Sequence, residues 1–343
     1  MPASNTTKAL ITGITGQTAS YMAEYLLDRG FDVHGLIRRS STPSTWRIDH
    51  IIDRLTLHYG DLTDSTGLTQ ILTEVKPDYV FNFGAQSHVR VSFDAPVYTA
   101  DANALGALRL LDLIRNLLPE TKFYQASSSE MFGKVLETPQ TETTPFNPQS
   151  PYGVSKTFAF YSTRLYRHAY NLFAVNGILF NHESPKRGET FVTQKVVQGF
   201  RKIREGKLDT LHMGNVFATR DWGYAKDYVD AIYKMMIHSV ADDWLVATGE
   251  TYTIKDMIQY VAYLNGFHLT WEGDGLNLTA MDKDGNVRVA IDKKYYRPNE
   301  VDLLQGDSKK IRTHLGWKPT VKFHQLMELM VKEDTYERRQ GST

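Results

Sequence analysis

Short apolar runs alternate with amphipathic stretches through the first half of the chain. The runs at 8–12, 32–37, 55–59, 79–82, 123–126 and 173–179 read as strands. Between them, 19–29, 65–74, 104–117 and 151–170 carry helical spacing. Tyr21, Leu26 and Leu27 are among the apolar members of the first, and Pro151 suits the first turn of the last. Strict alternation predicts parallel βαβ units with helices on both faces, an α/β fold with a doubly wound parallel sheet. The second half is less regular. There 254–264, 308–315 and 323–333 look helical, whereas 272–286, rich in Gly, Asn and Asp, looks like a loop. No linker separates the halves, so a smaller α/β domain interleaved with the first is expected. The predicted division gives 1–180 to the first domain, with a segment near 218–248 returning to it, and 181–217 with 249–343 to the second.

Composition narrows the function classes. A chain of 343 residues, 41% apolar, can bury a large core. Lys plus Arg equals Asp plus Glu at 39 each, which argues against a general nucleic-acid binder and makes any anion site local. Cysteine is absent, so disulfides, thiolate catalysis and Cys-held metals are excluded, and no metal site is expected. The polar start at 1–8 runs straight into a strand, and no apolar stretch is long enough to span a membrane. A cytoplasmic location with no membrane partner is the expectation.

The first chemistry lies after the first strand, where Gly13-Ile14-Thr15-Gly16-Gln17-Thr18-Ala19 forms a GxxGxxA pattern. Such patterns also mark ordinary tight turns. Its place on the first βα turn favours a pyrophosphate seated on backbone amides at a helix N-terminus, as in a Rossmann domain. An NAD site wants an acid at the end of the second strand. Here stand Arg38-Arg39-Ser40-Ser41, and a guanidinium pair with hydroxyls suits the 2′-phosphate of NADP. Asp61 and Leu62 after the third strand are expected beside the adenine. The stretch Phe83-Gly84-Ala85-Gln86-Ser87 after the fourth is expected along the middle of the cofactor.

Tyr152 and Lys156 form a YxxxK pair whose i, i+4 spacing puts both on one helix face. By itself the pair is common on helix surfaces. Here it follows the fifth strand of a dinucleotide fold, and an ammonium beside a phenol is expected to lower the tyrosine pKa and make it a base. Upstream, Ser127-Ser128-Ser129-Glu130 ends a strand at the edge where such sheets bind ligands. Ser128 suits a hydrogen bond to the reacting oxygen. Glu130 adds a carboxylate that simple alcohol oxidation does not need, which points to proton removal from carbon.

Together these residues resemble the extended short-chain dehydrogenase/reductase superfamily, and more closely the GDP-mannose 4,6-dehydratase family. The likeness runs from about Ala9 to Arg338. It is carried by GITGQ at 13–17, VHGLIRRSS at 33–41, LHYGDLTDST at 57–66 and AQSHVRVSFD at 85–94. SPYGVSK at 150–156, GILFNHESPKRGETFVTQK at 177–195, RDWGYAKDYV at 220–229 and YYRPNEVDLLQGD at 295–307 continue it.

The resemblance implies an NADP-dependent hydro-lyase of deoxysugar-nucleotide biosynthesis acting on a GDP-sugar as a homodimer or homotetramer. It implies Tyr152 as base for the C4 hydroxyl, Lys156 on the nicotinamide ribose, Glu130 as base at C5, and Ser128 where relatives carry Thr. It further implies Tyr98, His182 and Arg187, with Gly13, Thr15, Gly16, Gln17 and Thr18, at the cofactor. Ser87, Asn181, Lys195, Arg220, Arg297 and Glu300 fall to the substrate. Two departures stand out: the family's GQDGS reads Gln17-Thr18-Ala19-Ser20 here, and Gln194 replaces Arg in FVTRK. A GDP-manno-heptose substrate, a further 4-reduction, an epimerase and a non-catalytic NADP sensor remain as alternatives. Glu130, which an epimerase does not need, weighs against the third, and the intact Ser128, Glu130, Tyr152 and Lys156 weigh against the last.

Overall fold

A computed structural model describes residues 6–42, 44–296 and 299–333. Its centre is a seven-stranded sheet. β1 (Lys8–Thr12) lies between β2 (Asp32–Ile37) and β4 (Tyr79–Asn82). β3 (Thr56–Tyr59) forms one edge beyond β2; β5 (Lys122–Ser128), β6 (Ala174–Leu179) and the strand Asp243–Val246 extend the other side. Every pairing in this sheet is parallel. Strand order reverses at β1, so the loops after β1 and β4 diverge there and leave a crevice above the strand ends. The doubly wound α/β class expected from the pattern is the class observed.

The helices begin where local chemistry predicts. Asp64 caps α2 (Ser65–Val75) by accepting from the Thr66 amide at 3.0 Å. Ser150 caps the helix Pro151–Ala169 through the Gly153 amide at 3.0 Å, with Pro151 in its first turn. By contrast, α1 (Gln17–Leu27) starts at Gly16 with no side-chain cap. The helix expected at 104–117 runs Gly106–Leu117, preceded by a π turn over Asp101–Leu105.

One apolar core lies between the sheet and the helices α1 and Ala225–Ile237, and also takes in Ile311 and Trp317. A second packs the helices Val192–Arg204, Ile254–Leu264 and Phe323–Lys332 against a small four-stranded sheet. That sheet corrects the expected loop at 272–286. Thr279–Met281 is a strand paired with Thr270–Glu272 and Val287–Ile291, while 273–278, with a short 3₁₀ turn at Gly275–Asn277, and the polar turn at 282–286 match the expectation. Among the described residues no helix is long and apolar enough to cross a membrane.

Candidate active site

The crevice over the sheet opens into two adjoining clefts. The larger, ≈ 480 Å³, follows β1, β2 and β3 outward; the smaller, ≈ 230 Å³, runs over β5 and the start of the helix Pro151–Ala169. Gly13, Gly16, Gln17, Phe83, Ala85, Ser87 and Arg187 line both, so the two form one continuous groove.

The floor of the groove is backbone. Gly13 has φ +64°, and a Cβ there would lie 2.9 Å from the Gly84 Cα, so only glycine fits. Thr12 fixes the neighbouring loop: its hydroxyl accepts from the Gly84 amide (2.9 Å) and donates to Asn82 Oδ1 (2.7 Å), and Asn82 Nδ2 donates to Gln125 Oε1 (2.8 Å). This buried polar chain ties together the ends of β1, β4 and β5. The amino end of α1 has no capping side chain and no acidic residue in its first turn, which leaves a positive dipole end facing the groove. A glycine floor, an uncapped helix end and a rim arginine fit a dinucleotide.

Most of the expected cofactor residues line this groove: Thr15, Arg38, Asp61, Leu62 and Tyr98 in the larger cleft, Thr18 and His182 in the smaller. Arg38 Nη1 donates to the Tyr98 hydroxyl at 2.5 Å, bridging the rim. Arg39, Ser40 and Ser41 do not line it; they are exposed on the loop beyond β2. His182 is half-buried, and its Nδ1 faces the Phe180 carbonyl at 2.9 Å, which can only accept. Nδ1 therefore carries the proton. Burial pulls the ring down to about 4, so it is neutral and Nε2 is a bare acceptor for the Thr18 hydroxyl at 2.7 Å.

Ser128, Glu130, Tyr152 and Lys156 all line the smaller cleft, together with Asn181. β5 delivers Ser128, whose Oγ accepts from the Glu130 amide at 3.2 Å and starts a short 3₁₀ turn that holds the carboxylate under cover. Lys156 is buried and donates to the Ala126 carbonyl at 2.8 Å; burial lowers it to about 8. Tyr152 departs from expectation. Burial pushes its phenol up to about 12, and the Glu130 charge adds to the rise. A hydrogen bond with Ser128 and the Arg187 charge act the other way. Lys156 Nζ is 5.8 Å from the ring centroid, and desolvation outweighs what it offers.

The remaining substrate-side residues lie apart from the groove lining. Lys195 Nζ donates to the His212 carbonyl at 2.6 Å and sits over the Tyr295 ring. Arg220 is buried, with Nη2 3.7 Å from Glu300. Arg297 lies outside the described residues. Gln194, at the family's Arg position, is fully buried with neither side-chain amide atom hydrogen-bonded among the described residues. Sequence reasoning missed Arg47, Phe191 and Val89 in the groove lining. Arg47 lies only nine positions past Arg38, in a loop already read as basic, and Phe191 lies inside a motif already quoted.

The parallel sheet, the glycine turn and the Ser-Tyr-Lys cluster define the class, the extended short-chain dehydrogenase/reductases. Among solved structures, the Thermus thermophilus UDP-glucose 4-epimerase complex with NAD superposes with TM-score 0.80 at 25% identity, over 96% of this chain and 99% of that one. A dTDP-glucose 4,6-dehydratase from Bacillus anthracis, also with NAD, gives 0.80 at 20% identity over 98% of each chain, a likeness of fold. The sequence pattern of the GDP-mannose 4,6 dehydratase family matches residues 10–330. Proteins named GDP-mannose 4,6 dehydratase are 50% identical in Cricetulus griseus and 51% in Vibrio cholerae. Each match covers 95% of this chain, and 91% and 93% of the relatives. The chain belongs to the GDP-mannose 4,6-dehydratase family and is an enzyme of the hydro-lyase class.

Proposed function

We propose that the enzyme converts GDP-mannose to GDP-4-keto-6-deoxymannose and water, with NADP as a recycled cofactor. The observation that carries this reading is Glu130 sharing one cleft with Ser128, Tyr152 and Lys156. When bound, the dinucleotide supplies a hydride acceptor, the hydride for the last step and, while oxidised, a positive charge. Once that charge, added to the Lys156 ammonium, has brought it to the tyrosinate, Tyr152 takes the proton of the C4 hydroxyl, with Ser128 hydrogen-bonded to it, as C4 is oxidised to a ketone. The ketone acidifies the C5 hydrogen. Glu130 removes that proton and returns one to the departing C6 hydroxyl, which leaves as water. Tyr152 then returns its proton to C5 as C6 is reduced, so the cycle closes with no net redox change.

Incubation with GDP-mannose, and separately with GDP-manno-heptose, tests this by mass spectrometry. Loss of one water from GDP-mannose is expected without added reductant. Stoichiometric accumulation of NADPH would instead mark a plain dehydrogenase.

NADP is proposed over NAD because Arg38 lines the rim where an acid would select NAD. Arg38→Asp should weaken NADP binding at least about tenfold with little effect on NAD, since the pair with a phosphate is a charge-assisted one. Equal affinity of the unaltered protein for both cofactors would contradict it.

We also assign 1–180 with 218–248 to the cofactor domain and 181–217 with 249–343 to the substrate domain, which would hold Asn181, Lys195, Arg297 and Glu300 around the GDP, with Arg220 added from the returning segment 218–248. The separate apolar core of the second unit supports this, although Trp222 belongs to that core, and Val301, Leu304, Ile311 and Trp317 pack with residues of 1–180. Val154, Phe158, Tyr161 and Leu165 are all exposed on the helix Pro151–Ala169, an apolar stripe that supports a dimer or tetramer; sedimentation checks it directly.

A further inference from the structure

We infer that Arg47 is a positioning residue for the cofactor: it clasps the phosphate loop to the segment that carries Arg187 and so keeps the dinucleotide in its groove. The inference rests on the reading of that groove as a dinucleotide site and assigns a residue to it that the sequence motifs do not single out.

The geometry is that of a two-way clasp. Arg47 lines the larger cleft. Its Nη1 donates to the Thr15 carbonyl at 3.1 Å, inside the phosphate loop. Its Nε donates to the Lys186 carbonyl at 2.7 Å, beside Arg187 and Gly188, which also line the cleft. Lys186 answers in the opposite sense, its Nζ donating to the Arg47 carbonyl at 3.0 Å and to Glu24 Oε1 on α1 at 2.5 Å. The guanidinium also lies 4.2 Å over the Trp46 ring. One side chain therefore joins three stretches remote in sequence: the loop beyond β2, the turn after β1 and the segment after β6.

A guanidinium stays protonated at any working pH, and the two carbonyls fix its direction. A positive charge is thus held at the groove wall next to Thr15, where the pyrophosphate of a bound dinucleotide would lie over the amino end of α1. That moiety is common to NAD and NADP, so Arg47 differs in kind from Arg38, which serves the 2′-phosphate alone. A cofactor that is regenerated in every cycle gains from slow release, and the clasp supplies it. Lysine cannot replace the arginine: one ammonium cannot span two carbonyls with the fixed fork of a guanidinium.

The test is titration of the purified full-length protein with NADP and with NAD, combined with stopped-flow measurement of dinucleotide release. Arg47→Ala should raise the Kd for both cofactors by about tenfold to a hundredfold, mostly through faster release, and leave the NADP-to-NAD preference where it was. The apparent KM for the dinucleotide should rise with the Kd. Arg47→Lys should recover less than half of the loss on a logarithmic scale. Thermal unfolding of the cofactor-free variants, matched to the parent, separates this from a folding defect. If Arg47→Ala misfolds, Arg47→Lys carries the same test. Unchanged Kd values would overturn the inference, as would a loss confined to NADP, which would reassign Arg47 to the 2′-phosphate. If the unaltered protein binds neither dinucleotide, the reading of the groove itself fails.

Discussion

Glu130→Gln is expected to leave an enzyme that oxidises its substrate and then stalls. The substitution keeps the shape of the side chain and removes the base. Loss of a general base typically costs about a hundredfold to ten-thousandfold in rate. Ser128, which meets both the Glu130 amide and Tyr152, remains, as does Lys156 on the Ala126 carbonyl. C4 oxidation should therefore survive. NADPH should appear as a near-ultraviolet absorbance equal to the enzyme concentration, beside a 4-keto sugar that keeps its C6 hydroxyl. In heavy water the variant should place little deuterium at C5, where the parent incorporates it. Dehydration at the parent rate would exclude Glu130 as the C5 base.

Lys156→Met should abolish turnover and stabilise the fold. The buried ammonium sits 5.8 Å from the Tyr152 ring centroid, and its removal strips the site of a charge that favours tyrosinate; a loss of about a hundredfold or more is expected. The stability change follows from linkage. Burial lowers Lys156 to about 8, so below pH 8 the folded protein carries a charge that prefers the unfolded state. The full cost is present there. It shrinks between pH 8 and the ordinary lysine value of about 10.4, where the folded state has released its proton and the unfolded state has not, and it is gone above. A shift of this size corresponds to roughly 3 kcal/mol, and the lost bond to Ala126 returns about 1 kcal/mol. Lys156→Met should thus gain about 2 kcal/mol at about pH 7 and lose about 1 kcal/mol at about pH 11, where only the missing Ala126 bond is left, read by denaturant unfolding at both. Equal stability of variant and parent at the lower pH would show that the charge is solvated in place.

The groove was legible because its parts are local. GxxGxxA, YxxxK and the serine-rich strand end each occupy a single turn, and their backbone geometry follows from residue type. The first six strands of the sheet were legible for the same reason. What the pattern hid depends on tertiary context. The helix Val192–Arg204 buries Thr193, Gln194 and Gln198 beside its apolar residues, so polarity does not separate its inner face from its outer one. Gly199 inside it, a residue that disfavours helix, packs close under the Leu211 side chain, where a Cβ would lie 2.8 Å from a methyl group. Thr279–Met281 sits among turn residues and is a strand only because two neighbours pair with it. Arg47 takes its role from carbonyls 32 and 139 positions away. The ionisation of Tyr152 was misjudged for a related reason: spacing names a neighbour but says nothing of how much water burial removes.

The contact between Thr18 and His182 joins a hydroxyl to an uncharged imidazole, with both imidazole nitrogens already committed. No proton enters or leaves it anywhere near neutrality, so acidification by a unit or two leaves that joint as it was. A carboxylate at position 18, as in GQDGS, would instead set lone pairs against lone pairs until the ring took up a proton, and the joint would become a titrating couple. By carrying threonine, this chain has exchanged an acid-sensitive hinge for an inert peg.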